Sequence, residues 1–210
     1  EVFSKIEFQD ASFMEKNVPT ALNSIQKGLD QITEIISAMK RFSYKDMQSS
    51  LTPTDLNLII KDCISISRNE WKKSAVMETE LDGDLPLVPC RVSEISQVVL
   101  NLIVNASHAI FGFKKNEIGK ITVSTTMEDE EQVRVSVADD GGGIPEDAAE
   151  RVFEPFFTTK EMGVGTGQGL AISYNLVVER HRGKIFFDTV EGEGTTFHVL
   201  LPVSHPATAE

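Results

Sequence analysis

The sequence predicts an α/β two-layer sandwich preceded by a long helix, and three observations carry that reading. Apolar residues before position 50 alternate in steps of four and three. Ser93–Phe111 has a wide apolar helical face. Two pairs of segments with period-two alternation, at 121–138 and 184–201, are each joined by a short acidic or glycine turn. Helices that bury one face against an antiparallel sheet give two layers around one core.

Taken in order, Val18, Leu22, Ile25, Leu29, Ile32, Ile36 and Met39 form a heptad seam, with Gln26, Lys27, Asp30, Gln31, Glu34 and Lys40 on other faces. Pro19 suits the first turn, where a missing N–H costs nothing. One helix cannot satisfy such a seam, so it needs a partner, either in its own domain or in a bundle or dimer. Phe3, Ile6 and Phe13 fit the end of a preceding helix, and Ser49–Thr54 reads as a hinge. The predicted domains are therefore 1–50 and 51–205. In the second, Asp55 caps a helix running to about Asn69. Ala75–Leu81 alternates as a strand, and Leu85–Pro89 is a rigid extended link. In the helix Ser93–Phe111, Ile95, Val98, Val99, Leu102, Ile103, Ala106 and Ile110 face the core. Ile121–Met127 and Gln132–Ala138 form a hairpin. A short helix near Pro145–Val152, a glycine-rich stretch and a helix from about Gly167 to His181 follow. Lys184–Val190 and Thr195–Leu201 close the chain as a second hairpin.

A chain of 210 residues with 40% hydrophobic and 25% charged content can close a real core. Its net charge of −12 argues against binding nucleic acid or a membrane surface broadly, since both need basic patches. Cys63 and Cys90 are isolated and read as two partly buried thiols. No signal peptide and no apolar run of about 18 residues is visible, so no membrane segment is expected. The chain opens on Glu1, which is expected of a piece of a longer protein with room upstream for an anchor or sensor.

Three features carry chemistry. Seven of the 14 glycines fall at 141–143 and 163–169. Gly165-Thr166-Gly167-Gln168-Gly169-Leu170 opens a helix, where glycines admit an anion to backbone N–H groups and the helix start favours negative charge. Neither common phosphate-loop spacing is present, and a flexible loop before a helix explains the run equally well. Asp139-Asp140-Gly141-Gly142-Gly143-Ile144-Pro145 follows a strand. A carboxylate there can accept a hydrogen bond from an exocyclic amine, worth ~1.5–3 kcal/mol, or belong to an ordinary Asp-Gly turn. Asn101 and Asn105 project from one face of an apolar helix. Such amides need partners: a Mg²⁺ ion that also holds phosphates, or nearby backbone.

Together these segments resemble sensor histidine kinases. Gln97–Ala106 is similar to their N box, Asp139–Pro145 to the first glycine box, and Val152–Lys160 to the phenylalanine box. Gly165–Ala171 resembles the second glycine box, and Gly192–Phe197 completes the family's order across roughly residues 51–202. The resemblance implies the Bergerat ATP-binding fold shared with gyrase and MutL, with ATP and Mg²⁺ bound. It implies that Asp139 binds the adenine amine, aided by Thr195 through water, and that Asn105 coordinates Mg²⁺. Phe156–Gln168 would form a mobile lid, with Lys160 and the N–H groups near Gly165–Gly169 reaching the phosphates. Asn101, His108, Gly141, Gly143, Ile144, Thr159, Thr166, Gly167 and Leu170 complete the implied ATP-binding set. The helix 18–43 resembles the second helix of the helical-hairpin dimerisation and phosphotransfer domain, which implies a homodimer. A response regulator receiver domain is the implied partner, and the cytoplasm the implied location.

Two positions depart from the family. His108 stands where a lysine often follows the Mg²⁺ asparagine, and a neutral imidazole supplies less charge to phosphate. None of His108, His181, His198 and His205 lies in a His-Glu/Asp-x-x-x-Pro box, so no catalytic residue is assigned within the chain and the acceptor is expected upstream. The hydrolytic relatives carry a glutamate four residues before the Mg²⁺ asparagine, but here it is Asn101, which cannot take a proton at neutral pH. A serine kinase, a gyrase-like ATPase and a non-enzymatic dimerisation module are the competing readings.

Overall fold

The computed structural model describes residues 17–19, 51–114, 117–159 and 165–204. The chain divides into two compact units, Met47–Phe157 with Gly167–Glu210, and Glu1–Asp46 with Thr158–Thr166. In the smaller unit Asn17, Val18 and Pro19 are helical and exposed. The rest of the expected 18–43 seam lies outside the described residues.

The larger unit opens with β1 (Thr52–Thr54), α1 (Leu56–Ile66) and α2 (Arg68–Trp71). Asp55 caps α1 as expected, its Oδ1 accepting from the Asn57 and Leu58 N–H groups at 2.8 and 3.4 Å. Then come β2 (Ala75–Leu81), β3 (Val88–Cys90), α3 (Val92–Phe113), β4 (Gly119–Met127), β5 (Gln132–Asp139) and α4 (Glu146–Ala149). A last helix, α5 (Gly169–Tyr174), continues as a π-helical turn through Asn175–Arg180 before β6 (Lys184–Val190) and β7 (Gly194–Pro202).

Five strands form one sheet in the order β2-β4-β5-β7-β6, with only the β2–β4 pair parallel. The segment β3–α3 makes the crossover that a parallel pair requires. Helix α3 packs against α1, α5 and β5. Its Ile95, Val98, Val99, Leu102, Ile103, Ala106 and Ile110 are all buried, at about 1.5–3 kcal/mol of transfer free energy for each large side chain. They meet Ile121 and Val123 of β4, Val133, Val135 and Val137 of β5, and Phe197, Val199 and Leu201 of β7 in one core.

Three expectations need correction. The presumed hinge ends in a strand: Thr52, Pro53 and Thr54 pair antiparallel with Cys90, Pro89 and Val88. The extended link before α3 thereby becomes β3, because prolines are tolerated in a ladder that has a free edge. Helix α3 is also long and apolar enough to cross a membrane by length and composition, with mean hydropathy 1.4 over 18 residues. A search for uninterrupted apolar runs misses it because Asn101 and Asn105 interrupt the run, and here its apolar face is spent on the core. The closing helix is α-helical for only half its length. His181 Nδ1 lies 2.7 Å from the Leu176 carbonyl, five residues back, and holds the wider turn. Cys63 and Cys90 are fully buried free thiols, and burial first of all raises both pKa values.

On the sheet face away from the core, register places Ser136 of β5 opposite His198 of β7. Ser136 Oγ is 2.8 Å from His198 Nδ1, and His198 Nε2 is 3.1 Å from Asp188 Oδ2. This chain of bonds crosses β5, β7 and β6 and fixes their register.

Candidate functional site

Alternation along β5 builds the first part of the site. Side chains two apart share a sheet face, so Asp139 falls on the side of Val133, Val135 and Val137, at the point where the strand ends. Its partner in β7 is Thr195, on the same face as Phe197, Val199 and Leu201. The carboxylate is therefore held against apolar neighbours. Burial raises its pKa to about 6; the Gly141 and Thr195 backbone N–H groups pull it down, and the charge on Asp140 adds a smaller upward push. Asp139 Oδ1 accepts the Gly141 N–H at 2.9 Å.

The loop after Asp139 is locked in place. Gly141 packs on α3 so closely that a Cβ would come within 2.8 Å of the Ala109 carbonyl carbon. Gly143 has φ +72°, and a Cβ there would lie 2.4 Å from the Val190 carbonyl oxygen. These two glycines serve backbone-on-backbone packing as well as whatever ligand they border. The Ile144 N–H donates to Thr189 Oγ1 at 2.9 Å, and the Gly192 N–H to the Gly142 carbonyl at 2.9 Å. Thr189 Oγ1 also lies 3.0 Å from Thr195 Oγ1, which ties the loop to the residue facing Asp139. Asp140 turns to the other side: Oδ2 accepts from Lys114 Nζ at 2.7 Å and Oδ1 from the Lys120 N–H at 2.8 Å. Burial pushes its carboxyl up, but the Lys114 and Lys120 hydrogen bonds and the Lys114 charge outweigh that and hold it below the ordinary value.

Helix α3 supplies the second part. Asn101, Asn105 and His108 step by four and three along one half-buried face. Asn101 Nδ2 donates to the Gly169 carbonyl at 3.1 Å and lies 3.4 Å from Ser173 Oγ, which itself donates to that carbonyl at 2.9 Å. So α3 holds the start of α5 at Asn101 and the Asp139 loop at Ala109. Eight residues separate the two contacts, ~12 Å along a helix, with Asn105 midway.

The remaining expected residues are distributed as follows. Gly167 and Gly169 lie at the α5 start, where the Phe156 N–H donates to the Gly167 carbonyl at 2.9 Å. Leu170 and Ile144 are packed against the hydrophobic core. Thr159, Gly165 and Thr166 belong to the smaller unit, and Lys160 lies outside the described residues, as does the middle of the expected lid, 160–164. Sequence reasoning missed Lys114, Lys120 and Thr189, which position the Asp139 loop. No motif marks them, because their partners are 26, 20 and 45 residues away.

A carboxyl raised to about 6 has a consequence for stability. Between about pH 4 and 6 the folded chain keeps a proton that the unfolded chain has released, so this group's contribution falls as pH rises through that window. Above it the cost is on the order of 3 kcal/mol. Asp139→Asn is expected to raise the melting temperature of the nucleotide-free protein by several degrees at pH 7, with the gain shrinking toward pH 4. Thermal denaturation at the two pH values checks this; a variant no more stable than wild type at pH 7 contradicts it.

Comparison with known proteins supports the fold and shows the family. Residues 91–205 match the family of histidine kinase-, DNA gyrase B-, and HSP90-like ATPases. Sporulation kinase E of Bacillus subtilis (strain 168) is 37% identical over 150 residues, covering 71% of this chain and 19% of that protein. The sensor histidine kinase ZraS of Escherichia coli (strain K12) is 34% identical over 179 residues, 85% of this chain and 36% of the relative. The chain thus spans a minor part of these relatives. Among solved structures, the nucleotide-free catalytic domain of histidine kinase ThkA superposes with a TM-score of 0.64 at 32% identity, covering 75% of this chain and 100% of that one. Histidine kinase ThkA in complex with response regulator protein TrrA gives 0.68 at 28% identity, covering 87% of this chain and 50% of that one. The chain belongs to the histidine kinase-, DNA gyrase B- and HSP90-like ATPase family, as a catalytic ATP-binding domain of the sensor histidine kinase kind.

Proposed function

We propose that this chain binds Mg-ATP and transfers its γ-phosphoryl group to a histidine outside the chain, from which it passes to an aspartate of a response regulator. The observation that carries the reading is the half-buried, desolvated Asp139 carboxylate on the apolar side of the sheet, its loop packed on α3 at Ala109 while Asn101 of the same helix holds Gly169, with Asn105 between the two. In this reading Asp139 accepts a hydrogen bond from the adenine amine, with Thr195 beside it. The N–H groups of Gly165–Gly169 and Lys160 serve the phosphates. A Mg²⁺ ion takes one or two protein oxygens together with phosphates and waters, and the Asn105 amide oxygen is a donor of that kind. Bound there, the metal neutralises charge on the phosphates. His108 lies on the same helical face, one turn beyond Asn105.

His181 and His198 suit a domain that modifies a histidine elsewhere. His181 is fully buried with Nδ1 near the Leu176 carbonyl and Nε2 accepting from the Arg91 N–H at 3.0 Å. His198 is buried between Ser136 and Asp188. Neither ring can be presented to a γ-phosphate. By analogy with the ThkA complex, the partner is a receiver domain. Residues 1–50 form part of a dimerisation and phosphotransfer region that pairs through the 18–43 helix, 51–205 are the catalytic domain, and an ATP-dependent kinase of this kind works in the cytoplasm.

Transfer is favoured over hydrolysis by Asn101. Its amide nitrogen donates to Gly169, a task closed to a carboxylate, and it cannot act as a general base. Two measurements test the reading. Asp139→Asn is expected to weaken Mg-ATP binding at least about tenfold by calorimetry at pH 7.5, given the usual worth of a charged hydrogen bond; affinity within twofold of wild type removes Asp139 from the adenine site. Asn101→Glu is expected to raise basal ATP hydrolysis, whereas Asn101→Leu, which also loses the Gly169 bond but adds no base, should not. A rate in the Glu variant equal to or below wild type overturns the role of Asn101.

A further inference from the structure

One buried polar group in the second glycine run has no task in the scheme above. Gln168 directly precedes α5 and is only 8% exposed. Its side-chain Nε2 is shut off from solvent and has no hydrogen-bond partner among the described residues. A buried amide donor that has given up water without gaining an acceptor is a liability that a fold retains only for a reason. Glu94, Arg134 and Arg180 also have an orphaned buried atom, but each forms an ion pair through another, Arg180 with Glu94 and Arg134 with Glu128. Gln168 makes no ion pair and no side-chain hydrogen bond among the described residues.

The backbone around it is already committed. The Gln168 carbonyl accepts the Ile172 N–H at 2.9 Å, and the Gly167 carbonyl accepts the Phe156 N–H at 2.9 Å. The Gly169 carbonyl receives both Asn101 Nδ2 and Ser173 Oγ. Those bonds fix the main chain on either side of the residue, so relaxation of the loop offers no cheap acceptor. With no acceptor among the described residues, a bound ligand can supply one. Asn101, which anchors the next residue, is one helical turn from Asn105, and the polyphosphate is the oxygen-rich part of the ligand that belongs at that end of α3.

We propose that Gln168 is a nucleotide-binding residue whose side-chain amide donates to a polyphosphate oxygen of bound Mg-ATP. The proposal rests on the nucleotide-site reading above and adds to it a side-chain donor alongside the backbone N–H groups. An amide of neutral charge positions a phosphate oxygen without drawing a proton from it. A leucine would fill similar volume without stranding a donor.

The test compares wild type, Gln168→Leu and Gln168→Glu in the 210-residue chain. Mg-ATP affinity is read by calorimetry, adenosine affinity by NMR titration, and nucleotide-free stability by thermal denaturation. Gln168→Leu is expected to lose about ten- to a hundredfold in Mg-ATP affinity, the usual worth of a hydrogen bond to a charged group, keep adenosine within twofold and melt at a higher temperature. Gln168→Glu, nearly isosteric, is expected to lose at least as much ATP affinity through repulsion, and it carries the comparison if the Leu variant does not fold. ATP affinity within twofold in the Leu variant overturns the proposal. So does a parallel loss of ATP and adenosine, which would mark a residue that only shapes the pocket. A wild-type chain that binds neither ligand overturns the nucleotide-site reading and this assignment with it.

Discussion

A carboxylate kept on the apolar side of a sheet is costly, and the site end of this domain is organised around one. Asp139 is there because the alternation that buries Val133, Val135 and Val137 continues one step further, to the last residue of the strand. The cost shows in a pKa raised to about 6 by burial, even with two backbone N–H groups directed at the carboxyl. That carboxylate needs close walls, and the neighbouring segments provide them. Gly141 lets the loop press onto Ala109, Gly143 lets it cross beneath Val190, and Thr189 ties it to the β6–β7 turn. Lys114 and Lys120 hold Asp140 on the opposite side, so two adjacent carboxylates point into different environments.

Helix α3 converts this local arrangement into a site of defined length. It is the core helix of the domain, and its apolar face is packed along nearly its whole extent. A rigid element of that kind can hold two loops at a fixed separation. One is gripped at Ala109 and the other at Asn101, with Asn105 between them. Asn101 illustrates how a residue can have two meanings. In the comparison with hydrolytic relatives it is the absence of a base; in the structure it is a donor that fixes the first carbonyl of α5. Both meanings point away from water activation.

Much of the architecture was legible because it follows from periodicity. The three-four spacing of α3 and the two-residue spacing of β4, β5, β6 and β7 were both recovered to within about two residues, since each is an attribute of consecutive side chains. The β1–β3 pair was not, because three-residue strands 36 positions apart have no period of their own. The π-helical turn before His181 escaped for a related reason: it depends on a side chain capturing a carbonyl, and the apolar pattern through it still reads as α-helix. The two glycine clusters were legible as exceptional, but their reasons were divided only in three dimensions. Gly141, Gly143 and Gly167 are required by passing backbone, while Gly169 meets only the Asn101 side chain that holds its carbonyl.

By itself the sequence determined the family, the order of its boxes, the two-layer fold and the absence of an acceptor-histidine box from this chain. These are properties of local pattern, and they survive without knowledge of what touches what. Only the tertiary structure decided how far Asp139 is desolvated, what holds its neighbour, what Asn101 grips and that Gln168 has no acceptor among the described residues. Each of these depends on groups 20 to 68 residues apart, or on a desolvated position with no partner among the described residues. Burial and hydrogen bonding are relations between distant segments, and no residue type carries them alone.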